Sequence, residues 1–122
     1  MAMQMTTEVQ GTGDAILFVH GLGGTSNVFS PQVGALSRFF ECIRPDLPGS
    51  GRTEATGAFT LPDLADQLAE LLQSRGVAKA HVVGHSLGTV VCQHLAVKHP
   101  DLVRSLSLIG PLAEPPEPAR GA

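Results

Sequence analysis

Residues 82 to 91 read VVGHSLGTVV. An apolar run meets Ser86, which is held between Gly84 and Gly88, and a second apolar run follows. The first run suits a strand. The second continues as a helix from Leu87 to Lys98, ended by Pro100. A serine between strand and helix sits on a sharp, strained turn that exposes its hydroxyl. The glycines remove Cβ atoms that would collide with the neighbouring strand and helix. The helix N-terminus brings backbone N–H groups and positive partial charge to the reacting oxygen. The plain alternative is a glycine-rich turn with no chemistry. On either reading the stretch dictates a strand followed at once by a helix.

The rest of the chain repeats that alternation. Thr6 to Val9 reads as a short strand, and Gly11 to Asp14 as a turn. Ala15 to Val19, AILFV, is an unbroken apolar run, as expected of a strand covered on both faces. A helix is expected from Pro31 to Phe39, with Pro31 in its first turn. Glu41 to Arg44 reads as a strand stopped by Pro45. Thr60 and Asp63 have capping-box spacing. Leu61, Leu64, Ala65, Leu68, Leu71 and Leu72 then fall on one helical face, with Asp66, Gln67, Glu70 and Gln73 outside, and Gly76 ends the helix. His81 to Val83 and Val103 to Ile109 are the last strands. This pattern predicts an α/β fold, a mostly parallel sheet with helices on both faces. Ligands of such sheets bind at the carboxyl ends of the strands. The loops His20 to Thr25, Asp46 to Thr53 and Gly84 to Gly88 should converge there.

Bulk composition removes several classes of function. The chain has 122 residues and a net charge of −3, which gives no electrostatic case for nucleic acid or an anionic membrane. Its apolar runs are too short to span a bilayer, and its first residues, MAMQMTTEVQ, lack a signal-peptide pattern. Cys42 and Cys92 have no CxxC spacing and read as buried free thiols, consistent with a reducing, cytoplasmic setting. No metal site and no cofactor is implied.

Four stretches, FVHGLGG (18–24), RPDLPGSGRT (44–53), VVGHSLGTVV (82–91) and HPDLVRSLSLIG (99–110), together resemble the α/β-hydrolase superfamily. The resemblance covers nearly all of residues 6 to 112. It is closest to small ester and lactone hydrolases typified by the 3-oxoadipate enol-lactonases. It implies Ser86 as the catalytic nucleophile and the backbone N–H groups of Leu22 and Leu87 as the oxyanion hole that binds substrate. The implied substrate is a small-molecule ester or lactone.

The resemblance also implies an acid and then a histidine after the serine. His94 and His99 belong to the helix that starts at Ser86. His94 is already about 12 Å along it. His85 is the immediate neighbour of Ser86, and adjacent side chains diverge at a sharp turn. His20 reads as a structural part of its loop, and His81 lies at the far end of a strand. Asp101 is at the wrong end of the sheet, and Glu114 lies in a Pro-rich setting. The chain is therefore expected to be a partial α/β-hydrolase fold. Its C-terminal strands, cap and first strand would be absent. Residues 1–112 would be its N-terminal portion, and 113–122 a Pro-rich tail. A truncation, a cleavage product or an incomplete reading frame would each give this. The chain alone is expected to be inactive, with an exposed strand at Val103 to Ile109 that pairs with the missing half or with a second copy. Two other classes stay open: a non-catalytic binding module of the same fold, and a dinucleotide-binding half-domain based on Gly21, Gly23 and Asp46.

Overall fold

The computed structural model describes residues 5–21, 26–47 and 60–110. Five strands form one sheet: β1 (Thr7–Gln10), β2 (Asp14–Val19), β3 (Phe40–Pro45), β4 (Ala80–His85) and β5 (Val103–Ile109). Their order across the sheet is β1-β3-β2-β4-β5. β1 runs antiparallel to β3, and all other neighbours are parallel. The helices are α1 (Ser30–Leu36), α2 (Leu61–Ser74) and α3 (Gly88–Lys98). The expected α/β architecture is present. Among the described residues no helix is long and apolar enough to cross a membrane.

β2 lies centrally, and Ala15 to Val19 are all buried. Alternate residues feed two separate cores, as the two-residue period of a strand requires. Leu17 and Val19 pack with Leu64, Leu68 and Leu72 of α2 and with Val91 and Leu95 of α3. Ile16 and Phe18 pack on the other face with Phe29, Val33 and Cys42. Helices thus cover both faces.

α2 forms as its sequence dictates. Thr60 Oγ1 accepts from the Asp63 N–H at 3.2 Å, and the Asp63 carboxylate accepts from the Thr60 N–H at 3.1 Å. Its buried stripe is Leu64, Ala65, Leu68, Ala69 and Leu72, with Leu61 and Leu71 partly buried. Asp66 is half-exposed and ties α2 to the end of α3. Lys98 Nζ donates to Asp66 Oδ2 at 2.8 Å, and His99 Nε2 lies 2.9 Å from Asp66 Oδ1.

Several boundaries differ from expectation. β3 includes Pro45, which pairs opposite Thr7 at the end of the strand, where a missing N–H costs least. α1 stops at Leu36, and a 3₁₀ turn at Ser26–Phe29 precedes it. That turn buries Phe29 one helical turn ahead of Val33, so the apolar stripe starts earlier than Pro31. β4 runs to His85, so the strand reaches the serine directly. β5 forms one edge of the sheet among the described residues, with Leu106 and Ile109 exposed.

Candidate active site

β2, β3 and β4 are parallel, so their carboxyl ends meet on one edge. Three contacts join the described chain there, while residues 22–25 and 48–53 of the expected loops lie outside the described residues. The first is the Leu47 N–H, which donates to His20 Nε2 at 3.0 Å and ties the chain after β3 to the chain after β2. This leaves the ring proton on Nδ1, which donates to the Gly21 carbonyl 2.6 Å away. His20 is fully buried and wholly occupied by these bonds. It is a staple between two loops.

The second contact brings Gly21, just after β2, against the serine. A Cβ placed on Gly21 would lie 3.2 Å from Ser86 Cβ and 3.4 Å from the Leu87 nitrogen. The third ties the serine to β5: the Ser86 N–H donates to the Ile109 carbonyl at 3.1 Å.

Ser86 itself has φ +55°, the one left-handed non-glycine residue among those described. Its side chain is exposed at the edge. The glycines on either side have the predicted purpose. A Cβ on Gly84 would lie 2.8 Å from Cys92 Sγ and 2.9 Å from the Thr89 Cα, against α3. A Cβ on Gly88 would lie 2.3 Å from the Val19 carbonyl oxygen, against β2. The turn is therefore as tight as the packing allows. Leu87 follows the serine as the N-cap of α3, so its backbone opens the helix.

Thr89 carried no signal in the sequence, whereas Cys92 is a buried free thiol as its sequence context predicts. Thr89 is fully buried, and its hydroxyl donates to the Ser86 carbonyl at 2.6 Å. Cys92 lies beneath the turn, where burial pushes its thiol up to about 12. Its small side chain fits against Gly84, which explains a cysteine there without any reactive role.

The histidines lie as follows. His81 Nδ1 is 2.6 Å from Ser105 Oγ, at the amino end of β4 and away from the serine. His85 presents its ring edge-on to Phe29. His94 is half-buried along α3, and His99 is held by Asp66 beyond that helix's end. Asp101 is exposed in the 3₁₀ turn Pro100–Leu102 that leads into β5. Leu22 and Glu114 lie outside the described residues. Among the described residues no group of three or more His, Cys, Asp or Glu could hold a metal ion.

The profile of the family described as alpha/beta hydrolase fold matches residues 14–121. A pimeloyl-acyl-carrier-protein methyl ester esterase from Chromobacterium violaceum is 37% identical over 107 residues, covering 88% of this chain and 41% of that protein. A Yersinia enterocolitica protein named for carbamate hydrolysis, RutD, is 35% identical over 111 residues, 89% of this chain and 40% of its own length. Among solved structures, a thermophilic esterase from Thermogutta terrifontis superposes with a TM-score of 0.89 at 32% identity, covering 94% of this chain and 43% of that one. The chain spans about two fifths of the length of these relatives.

Proposed function

This chain belongs to the alpha/beta hydrolase family, and from that membership we propose that it supplies the nucleophile half of a serine hydrolase acting on a carboxylic ester or lactone. The single observation that carries this reading is Ser86 at φ +55° at the carboxyl end of β4, beside Gly21 of the chain that leaves β2. The esterase names of two relatives support the substrate class.

Ser86 Oγ attacks the ester carbonyl carbon, and its proton passes to a base. The carbonyl oxygen becomes an oxyanion received by the Leu87 N–H, at the start of α3, and by the Leu22 N–H that the family resemblance assigns to the same task. Collapse expels the alcohol and leaves an acyl-enzyme on Ser86, which water then hydrolyses. We assign the base and its orienting acid to residues outside this chain. His20 and His99 are committed to other partners, and His81 is at the opposite end of β4. On this reading β5 is where the remaining half of the fold, or a second copy of this chain, adds to the sheet. The buried free thiols Cys42 and Cys92 support a reducing, cytoplasmic setting.

The test is ester hydrolysis by the complete polypeptide, the one that joins this chain to the rest of the fold. Ser86→Ala should abolish turnover, and the 122-residue chain alone should be close to inactive. Removal of the nucleophile or the base costs on the order of 10⁶ in kcat in a well-studied serine protease. Full activity of Ser86→Ala would overturn the assignment.

A further inference from the structure

We propose that the Thr89 hydroxyl is a positioning group for the oxyanion hole: it aims the Leu87 N–H at the substrate. This deepens the reading of Ser86 as a nucleophile and rests on it. Thr89 makes two bonds to one acceptor. Its N–H donates to the Ser86 carbonyl at 3.0 Å and its hydroxyl donates to the same oxygen at 2.6 Å. The Ser86 carbonyl and the Leu87 N–H belong to one planar trans peptide, so they point in opposite directions. Drawing the oxygen into the first turn of α3 turns the N–H away from the helix. Gly21 approaches this peptide, its would-be Cβ 3.4 Å from the Leu87 nitrogen and 3.2 Å from Ser86 Cβ. The donor and the nucleophilic side chain thus both lie against Gly21.

A threonine that bonds back to the carbonyl three residues earlier is common in helices and usually has little effect. Two features set this one apart. Its acceptor belongs to a residue in a left-handed conformation, where the flanking peptides need external support to stay fixed. Ser86 has that support on both sides: the Ile109 carbonyl holds its N–H at 3.1 Å, and Thr89 holds its carbonyl. The hydroxyl is also fully buried, so water cannot replace it. Hydrogen bonds accepted by a carbonyl further polarise the N–H of the same peptide, which strengthens it as a donor.

The experiment compares Thr89→Val, Thr89→Ala and Thr89→Ser in the complete polypeptide. The probes are p-nitrophenyl acetate and its thionoester counterpart, whose sulfur accepts hydrogen bonds poorly. Thr89→Val should lower kcat on the oxoester about tenfold with KM unchanged, because the interaction matters chiefly in the transition state. It should also narrow the rate ratio of oxoester to thionoester. Thr89→Ser should restore both. If thermal melting shows that Thr89→Val does not fold, Thr89→Ala carries the same expectation with less bulk. Unchanged kcat and ratio in the folded variants would overturn the proposal, as would a serine variant no better than alanine. Ser86→Ala, run alongside, separates the two claims. An active Ser86→Ala removes the nucleophile and this inference together. An inactive Ser86→Ala with normal Thr89 variants removes only this one.

Discussion

Two of the described residues turn left-handed between a strand and a helix, and they do so on opposite terms. Gly76, at φ +73°, closes α2. Its N–H reaches the Gln73 carbonyl at 3.0 Å, and the Val77 N–H reaches Leu72 at 2.9 Å, the paired bonds of a Schellman ending. Nothing lies within 4 Å of a Cβ built there. Glycine is present for its conformation alone. Ser86, at φ +55°, opens the way from β4 into α3 and keeps a side chain where glycine would turn more easily. The left-handed conformation costs an L-residue about 1–2 kcal/mol. One turn is chosen for ease. The other is held against its preference by Ile109, Thr89 and the close approach of β2. Strain retained together with an exposed hydroxyl points to use of the side chain.

The comparison can be broken most forcefully at Gly88. Its alanine would press a Cβ to 2.3 Å and 2.7 Å from the Val19 and His20 carbonyl oxygens, so chain must move. Gly88→Ala should destabilise by about 3 kcal/mol in denaturant titration. An unchanged midpoint would mean that the turn is looser than described. Gly76→Ala meets no atoms and should cost only about 1 kcal/mol, the conformational penalty by itself. Ser86→Gly is the mirror case. It should gain up to about 1 kcal/mol relative to Ser86→Ala, the relief of strain being partly offset by the greater freedom of unfolded glycine. If glycine is the less stable of the two, the serine is not strained. The smallest effect concerns Asp66, far from the turn. The Lys98 hydrogen bond, then that of His99, hold its carboxyl below the usual value. The folded state therefore binds fewer protons, and the stabilisation is present above about pH 4 and lost as pH falls through the lowered value. Asp66→Asn should flatten this part of the acid unfolding curve and change little at neutral pH. The pair is half-exposed and so contributes modestly.

Much of this was legible in the sequence because it depends on local spacing. The Thr60–Asp63 box, the leucine stripe and the Gly76 stop define α2 within seventeen residues, and AILFV announces a strand buried on both sides. The glycines around Ser86 signal a tight turn because only close packing forbids their Cβ atoms. What escaped depends on distant partners. Asp66 reads as an outer-face residue until the fold brings Lys98 and His99 to it. Arg44 reads as an ordinary strand end, yet it is buried, with Nη1 donating to Ser30 Oγ at 3.2 Å. Thr89 looks like any first-turn helix residue, and its bond to the Ser86 carbonyl is apparent only in the folded turn. The antiparallel pairing of β1 with β3, rather than with its sequence neighbour, is likewise a tertiary result.

The central claim is that Ser86 is a strained nucleophile whose base comes from elsewhere in the polypeptide. It is tested most directly by treating the complete polypeptide and the 122-residue chain with a fluorophosphonate and locating the adduct by peptide mass spectrometry. The account predicts one adduct, on Ser86, formed rapidly in the complete polypeptide, slowly in the isolated chain, and not at all in Ser86→Ala. An adduct on another residue, or equally fast labelling of the isolated chain, would contradict it.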